Sequence, residues 1–170
     1  MNKIDENLKS QIQIFIDENF IEDSEEKIYF EESKRFFPPL AAVPVPFPNE
    51  LNQILESKKP KFSQTLMNFI DERGLKDSDV YNKAGISRQL FSKIRIHPNY
   101  KPTKSTVLLL ALAMGLDLDD TQELLASAGF TLSHSSRQDL IIEFLITKGI
   151  HDIFTVNDVL YEFGEATLGT

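Results

Sequence analysis

Apolar residues recur at helical spacing along most of this chain. Ile4, Leu8, Ile12, Phe15 and Ile16 fall every three or four positions and predict an amphipathic helix over 4–20, although Ile12, Ile14 and Ile16 also alternate as a strand would. Phe62, Leu66, Phe69 and Ile70 mark a second helix, with Ser63 as its candidate cap and Gly74 beyond its end. Two short periodic runs follow. Val80 and Ala84 belong to one, and Leu90, Phe91 and Ile94 to the other, with Gly85, Ile86 and Ser87 between them. A glycine there accepts the left-handed conformation that ends a helix, and a serine hydroxyl caps the next. The stretch therefore predicts two helices joined by a tight turn.

Beyond Lys101 the pattern grows more apolar. Thr103 or Ser105 starts a helix in which Val107, Leu108, Leu110, Ala111, Leu112 and Met114 cover nearly every face, so it belongs at the centre of a bundle. Gly115 ends it, and Asp117 caps a helix through Leu118, Leu124, Leu125 and Ala128. Ser135 or Ser136 opens another, from Leu140 to Ile146. Thr155, with Asp158 three residues on, resembles a capping box for a last helix containing Val156, Val159, Leu160 and Phe163. These two C-terminal helices are too apolar to stand in water and must pack on the bundle, on a second copy or on a partner. Helical spacing in every periodic segment outside the proline-rich stretch predicts an all-α fold class.

Residues 38–48, PPLAAVPVPFP, contain five of the eight prolines. Proline removes a donor and fixes φ, which predicts an extended linker. It serves either as a spacer or strap, anchored by Val43, Val45 and Phe47, or as a ligand for an aromatic groove in another protein. A short helix from Asn49 carries Leu51, Ile54 and Leu55. The chain thus divides into an acidic N-terminal arm (1–60), a helical domain (61–130) and a C-terminal helical extension (131–170).

Charge sharpens this division. The net charge is −8 over 170 residues, which argues against a general nucleic-acid binder. Yet residues 61–104 hold nine basic and four acidic side chains, net +5, while 1–60 is net −5 and 105–170 net −8. The one basic block carries the helix pair, as an electrostatic footprint on an acidic protein would. Cysteine is absent, which removes disulfides, thiol nucleophiles and thiolate metal sites. The start, MNKIDENLKS, has no apolar run behind a basic segment, so no signal peptide is expected. The longest apolar run, VLLLALAMG, falls short of the ~18 residues of a membrane span. These features predict a soluble cytoplasmic protein.

The stretch GLKDSDVYNKAGISRQLFSKIR resembles the helix-turn-helix of the Cro/C1-type (XRE-like) repressor family. Leu66, Phe69 and Ile70 look like that family's first helix, Asp77 to Ala84 like its second, and Ser87 to Arg95 like its recognition helix. Pro102 to Gly115, followed by LDLDD, is similar to its closing segment. The resemblance spans about 62–129. It implies a lambda-repressor-like five-helix bundle that binds double-stranded DNA. Where the family usually has a phosphate-contacting glutamine, this chain has Asp77, with Asp79 close behind. An acidic residue suits a helix N-terminus but repels a phosphate. Where the family has a small residue at the helix crossing, this chain has Tyr81.

With Leu90, Phe91 and Ile94 facing the core, Arg88, Gln89, Ser92 and Lys93 face outward. Arginine pairs with guanine and glutamine with adenine through two hydrogen bonds each. Lys93, Arg95, Lys101 and Lys104 are positioned in sequence to meet phosphates. One such helix reads only a few base pairs, so a homodimer is expected, with the C-terminal helices either as its interface or as intramolecular core. Catalysis is not expected. His97, His134 and His151 lie far apart without ligand spacing, and no glycine-rich loop follows a strand, so neither metal nor cofactor is predicted. The leading expectation is a sequence-specific DNA-binding regulator. The alternative is a non-enzymatic protein-interaction module that keeps the fold and has lost DNA, as Asp77, Asp79 and Tyr81 suggest.

Overall fold

The computed structural model describes residues 5–21 and 61–169. All regular structure among them is helical: α1 (Glu6–Asn19), α2 (Phe62–Glu72), α3 (Asp77–Lys83), α4 (Arg88–Ile96), α5 (Lys104–Met114), α6 (Leu118–Ser127), α7 (Arg137–Thr147) and α8 (Ile153–Glu162). The readings made for the proline-rich stretch 38–48 and for a helix from Asn49 lie outside the described residues. Residues 5–20 and 61–169 form one compact unit.

Helix α5 is the hub. Val107 to Met114 are buried without interruption, because α3, α6 and α8 pack around it. An all-round apolar helix is stable only when enclosed in this way. Gly115, at φ +64°, turns the chain out of α5, while Leu116 N–H donates to Ala111 O at 3.1 Å. Asp117 then caps α6, accepting from Asp120 N–H at 3.0 Å.

The C-terminal helices find their cover within the same chain. Leu140, Ile141, Ile142, Leu145 and Ile146 of α7 are buried, as are Val156, Val159 and Leu160 of α8. Helix α7 packs on α6, α8 and α1. Helix α1 places Ile12 and Ile16 in the core, and Phe15 meets Phe144 at 5.3 Å between ring centroids. Lys9 Nζ adds an ion pair to Glu162 at 2.5 Å. The apolar stripes that sequence left open to an interface are thus spent inside the monomer, with the N-terminal helix completing the burial.

Two cap assignments differ from expectation. Helix α8 begins at Ile153, and its cap is Asp152 rather than Thr155. Thr155 donates both its N–H and its hydroxyl to Asp152 Oδ2, at 2.9 and 2.7 Å. The carboxylate outcompetes the threonine because it is the stronger acceptor one turn earlier. Ser63 does not cap α2 either. Lys61 takes the cap position without a side-chain bond, and the buried Ser63 hydroxyl donates across to Arg95 O at 3.5 Å.

Candidate functional site: the outward face of helix α4

Local chemistry builds the α3–α4 pair. Gly85 sits at φ +65°. Its N–H donates to Asn82 O at 3.2 Å, and Ile86 N–H donates to Tyr81 O at 3.1 Å. These two bonds satisfy the last carbonyls of α3 and reverse the chain. Ser87 then accepts from Leu90 N–H at 3.1 Å and starts α4. Phe91 and Ile94 are buried and Leu90 is half-buried. That fixes the rotation of α4 and turns Arg88, Gln89, Ser92 and Lys93 into solvent.

Tyr81 makes an aromatic contact between α3 and α4. Its half-buried ring lies 5.7 Å from that of Phe91, tilted by 53°, a favoured aromatic geometry. Asp77 does not project alone from the start of α3. Arg95 Nη1, at the far end of α4, pairs with Asp77 Oδ2. This contact neutralises the carboxylate that would otherwise repel a polyanion.

The seven residues singled out from sequence separate into two groups. Arg88, Gln89, Ser92 and Lys101 are exposed and make no hydrogen bond or ion pair to a described residue. Lys93 is exposed and lies over the Tyr100 ring, 5.2 Å from its centroid. This contact steers the lysine toward the loop that holds Lys101. Beside that loop, Lys61 Nζ donates to Asn99 Oδ1 at 2.5 Å. Arg95 and Lys104 are engaged elsewhere. Arg95 holds Asp77. Lys104 Nζ pairs with Asp139, a carboxylate only 2% exposed that also accepts from Ser133 N–H at 2.9 Å.

The basic block is therefore weaker in space than in sequence. Of its nine cations, Arg73 pairs with Asp120 at 2.5 Å, Arg95 with Asp77 and Lys104 with Asp139. Asp120 and Asp139 both come from the acidic C-terminal block. What remains on and beside α4 is Arg88, Lys93 and Lys101, with Lys61 close to the same loop.

Ile96 was not singled out from sequence. It is 69% exposed and extends the Gln89–Lys93 face by another turn. Its position seven residues after Gln89 carried that signal. The histidines do not converge. His97 is exposed, His134 Nε2 lies 3.4 Å from Glu143, and the His151 ring bridges Gly149 O and Leu116 O at 3.1 and 2.9 Å. No described helix is long and apolar enough to cross a membrane. Comparison of the chain with protein-family models, curated proteins and solved structures finds no match.

Proposed function

We propose that this protein binds duplex DNA in a sequence-dependent way, with α3 and α4 acting as a helix-turn-helix and α4 entering the major groove. The observation that carries this reading is the outward face of α4. Arg88, Gln89 and Ser92 stand there without partners among the described residues, and Lys93 extends from the same face. An arginine and a glutamine in the first turn of such a helix suit guanine and adenine edges. Lys101 and Lys61 flank the helix at a place suited to phosphates. Asp77 is held by Arg95, at the far end of α4, while Asp79 is exposed and accepts from the Ser78 hydroxyl. The order of α2 to α6 supports a repressor-like regulator, and two copies on neighbouring half-sites supply the specificity that one short helix lacks. Selection of bound duplexes from a random pool by the full chain tests the reading. Enrichment of one motif, lost in Arg88→Ala with Lys93→Ala, is the expected result.

A second reading, a protein-interaction module, draws on α8. Phe154 and Tyr161 are 83% and 69% exposed and seven residues apart on one helical face. Co-purification from the native cell separates the two. A protein partner recovered through Phe154 and Tyr161, with no duplex enriched, favours this second reading.

A further inference from the structure

A cleft of about 550 Å³ opens where three helix ends meet: the C-terminal ends of α3 and α5 and the N-terminal end of α8. It is separate from the outward face of α4, and its floor is apolar. Leu112, Ala113 and Met114 form the last turn of α5. Gly115 leaves the floor open, since a Cβ there meets nothing within 4 Å. Phe154 stands on one rim, 83% exposed. Lys83 stands on another, exposed and without an ion pair to any described residue.

Each wall has a definite chemical role. His151 is a strut rather than a ligand, because both ring nitrogens already face the carbonyls of Gly149 and Leu116. Asp152 carries a negative charge on the lining, but its Oδ2 is turned toward its own helix, where it takes both donors of Thr155. That leaves an apolar floor, an aromatic ring with no packing partner and one uncommitted cation. The volume falls within the range of small-molecule sites, roughly 300–1,000 Å³.

We infer that this cleft binds a small amphipathic anion, its ring or branched aliphatic body lying between Met114 and Phe154 and its carboxylate or sulfonate facing Lys83. The inference does not depend on DNA binding. If both hold, Asn82 and Lys83 place the ligand at the end of α3, two residues before Gly85 in the turn into α4.

Two fluorescent probes test it on the full chain. One is 8-anilinonaphthalene-1-sulfonate; the other is N-phenyl-1-naphthylamine, which has the same aromatic body and no charge. The native chain is expected to bind both saturably at one site. Phe154→Ala weakens both by roughly fivefold or more. Lys83→Gln weakens the sulfonate probe by roughly threefold or more and leaves the neutral probe unchanged. Both substitutions are on exposed residues, and thermal melting confirms that each variant is folded, so that dye uptake by a loosened core is not mistaken for the site. Absence of saturable binding to the native chain overturns the assignment. So does unchanged sulfonate-probe affinity in either variant, or equal loss of both probes in Lys83→Gln.

Discussion

Arg95 and Asp77 form an ion pair across the α3–α4 helices, joining the last turn of one to the first turn of the other. Their separation of 18 residues spans the whole helix pair. The contact has two opposite consequences for a polyanion. It cancels a repulsive carboxylate, and it occupies a guanidinium otherwise available to a phosphate. Asp77→Asn removes the carboxylate and releases Arg95 at the same stroke. The expected outcome is tighter DNA binding, with the log–log salt dependence steeper by about 0.9 for the added phosphate contact. Stability changes by less than about 1 kcal/mol, since the pair is at the surface. Fluorescence anisotropy at several salt concentrations measures the first, and urea unfolding the second.

Tyr81 sets how α3 meets α4 through its contact with the Phe91 ring. Tyr81→Ala removes a half-buried ring and an aromatic pair, and is expected to cost about 1.5–3 kcal/mol in denaturant unfolding. Tyr81→Phe keeps the ring and is expected to stay within about 0.5 kcal/mol. Equal losses in the two variants would show that the hydroxyl, not the ring, matters at this crossing.

Lys104 and Asp139 tie the start of α5 to the start of α7. Because Asp139 is buried, Lys104→Met leaves a carboxylate in the interior with Ser133 N–H as its remaining partner. A loss of about 3 kcal/mol is expected. Adding Asp139→Asn neutralises the orphaned charge while keeping an acceptor for Ser133, so the double variant is expected to recover most of that loss. Thermal or urea unfolding of both variants reads the difference.

Asp152 caps α8, and the hydroxyl and then the N–H of Thr155 hold its carboxyl below the ordinary value of 3.8. A carboxyl lowered in the folded state contributes stability that is complete above its unfolded pKa. That contribution disappears as pH falls through the folded value. Asp152→Ala is therefore expected to lose about 1 kcal/mol near neutral pH. The gap between variant and native chain narrows only in acid, below the ordinary carboxylate range. Urea unfolding from neutral pH down into that range follows the gap.

Local rules carried much of this fold. Periodicity alone placed Phe91 and Ile94 inward and Arg88, Gln89, Ser92 and Lys93 outward, because a helix repeats within a few residues. The caps at Ser87, Thr103, Asp117 and Ser136 were equally local. What sequence could not reveal were the partners. Asp139 lies 35 residues from Lys104 and Asp120 lies 47 from Arg73, so a charge sum over 61–104 counted cations that the acidic C-terminal block had already taken. The stripe on α1 declared that Ile12 and Ile16 needed cover, but only packing identified α7 as its source. Ile96 and Phe154 lack the polar chemistry that marks a candidate site, so only their exposure sets them apart.

The central claim is that the α4 face meets the phosphates and bases of a duplex. It is tested most directly by titrating the full chain against its selected duplex at rising salt, in native and Arg88→Ala forms. Affinity is expected to fall steeply with salt, and the variant to bind more weakly by about 1–3 kcal/mol with relaxed preference at one base pair. A native chain that binds no duplex at low salt, or a variant indistinguishable from it in affinity and preference, contradicts the account.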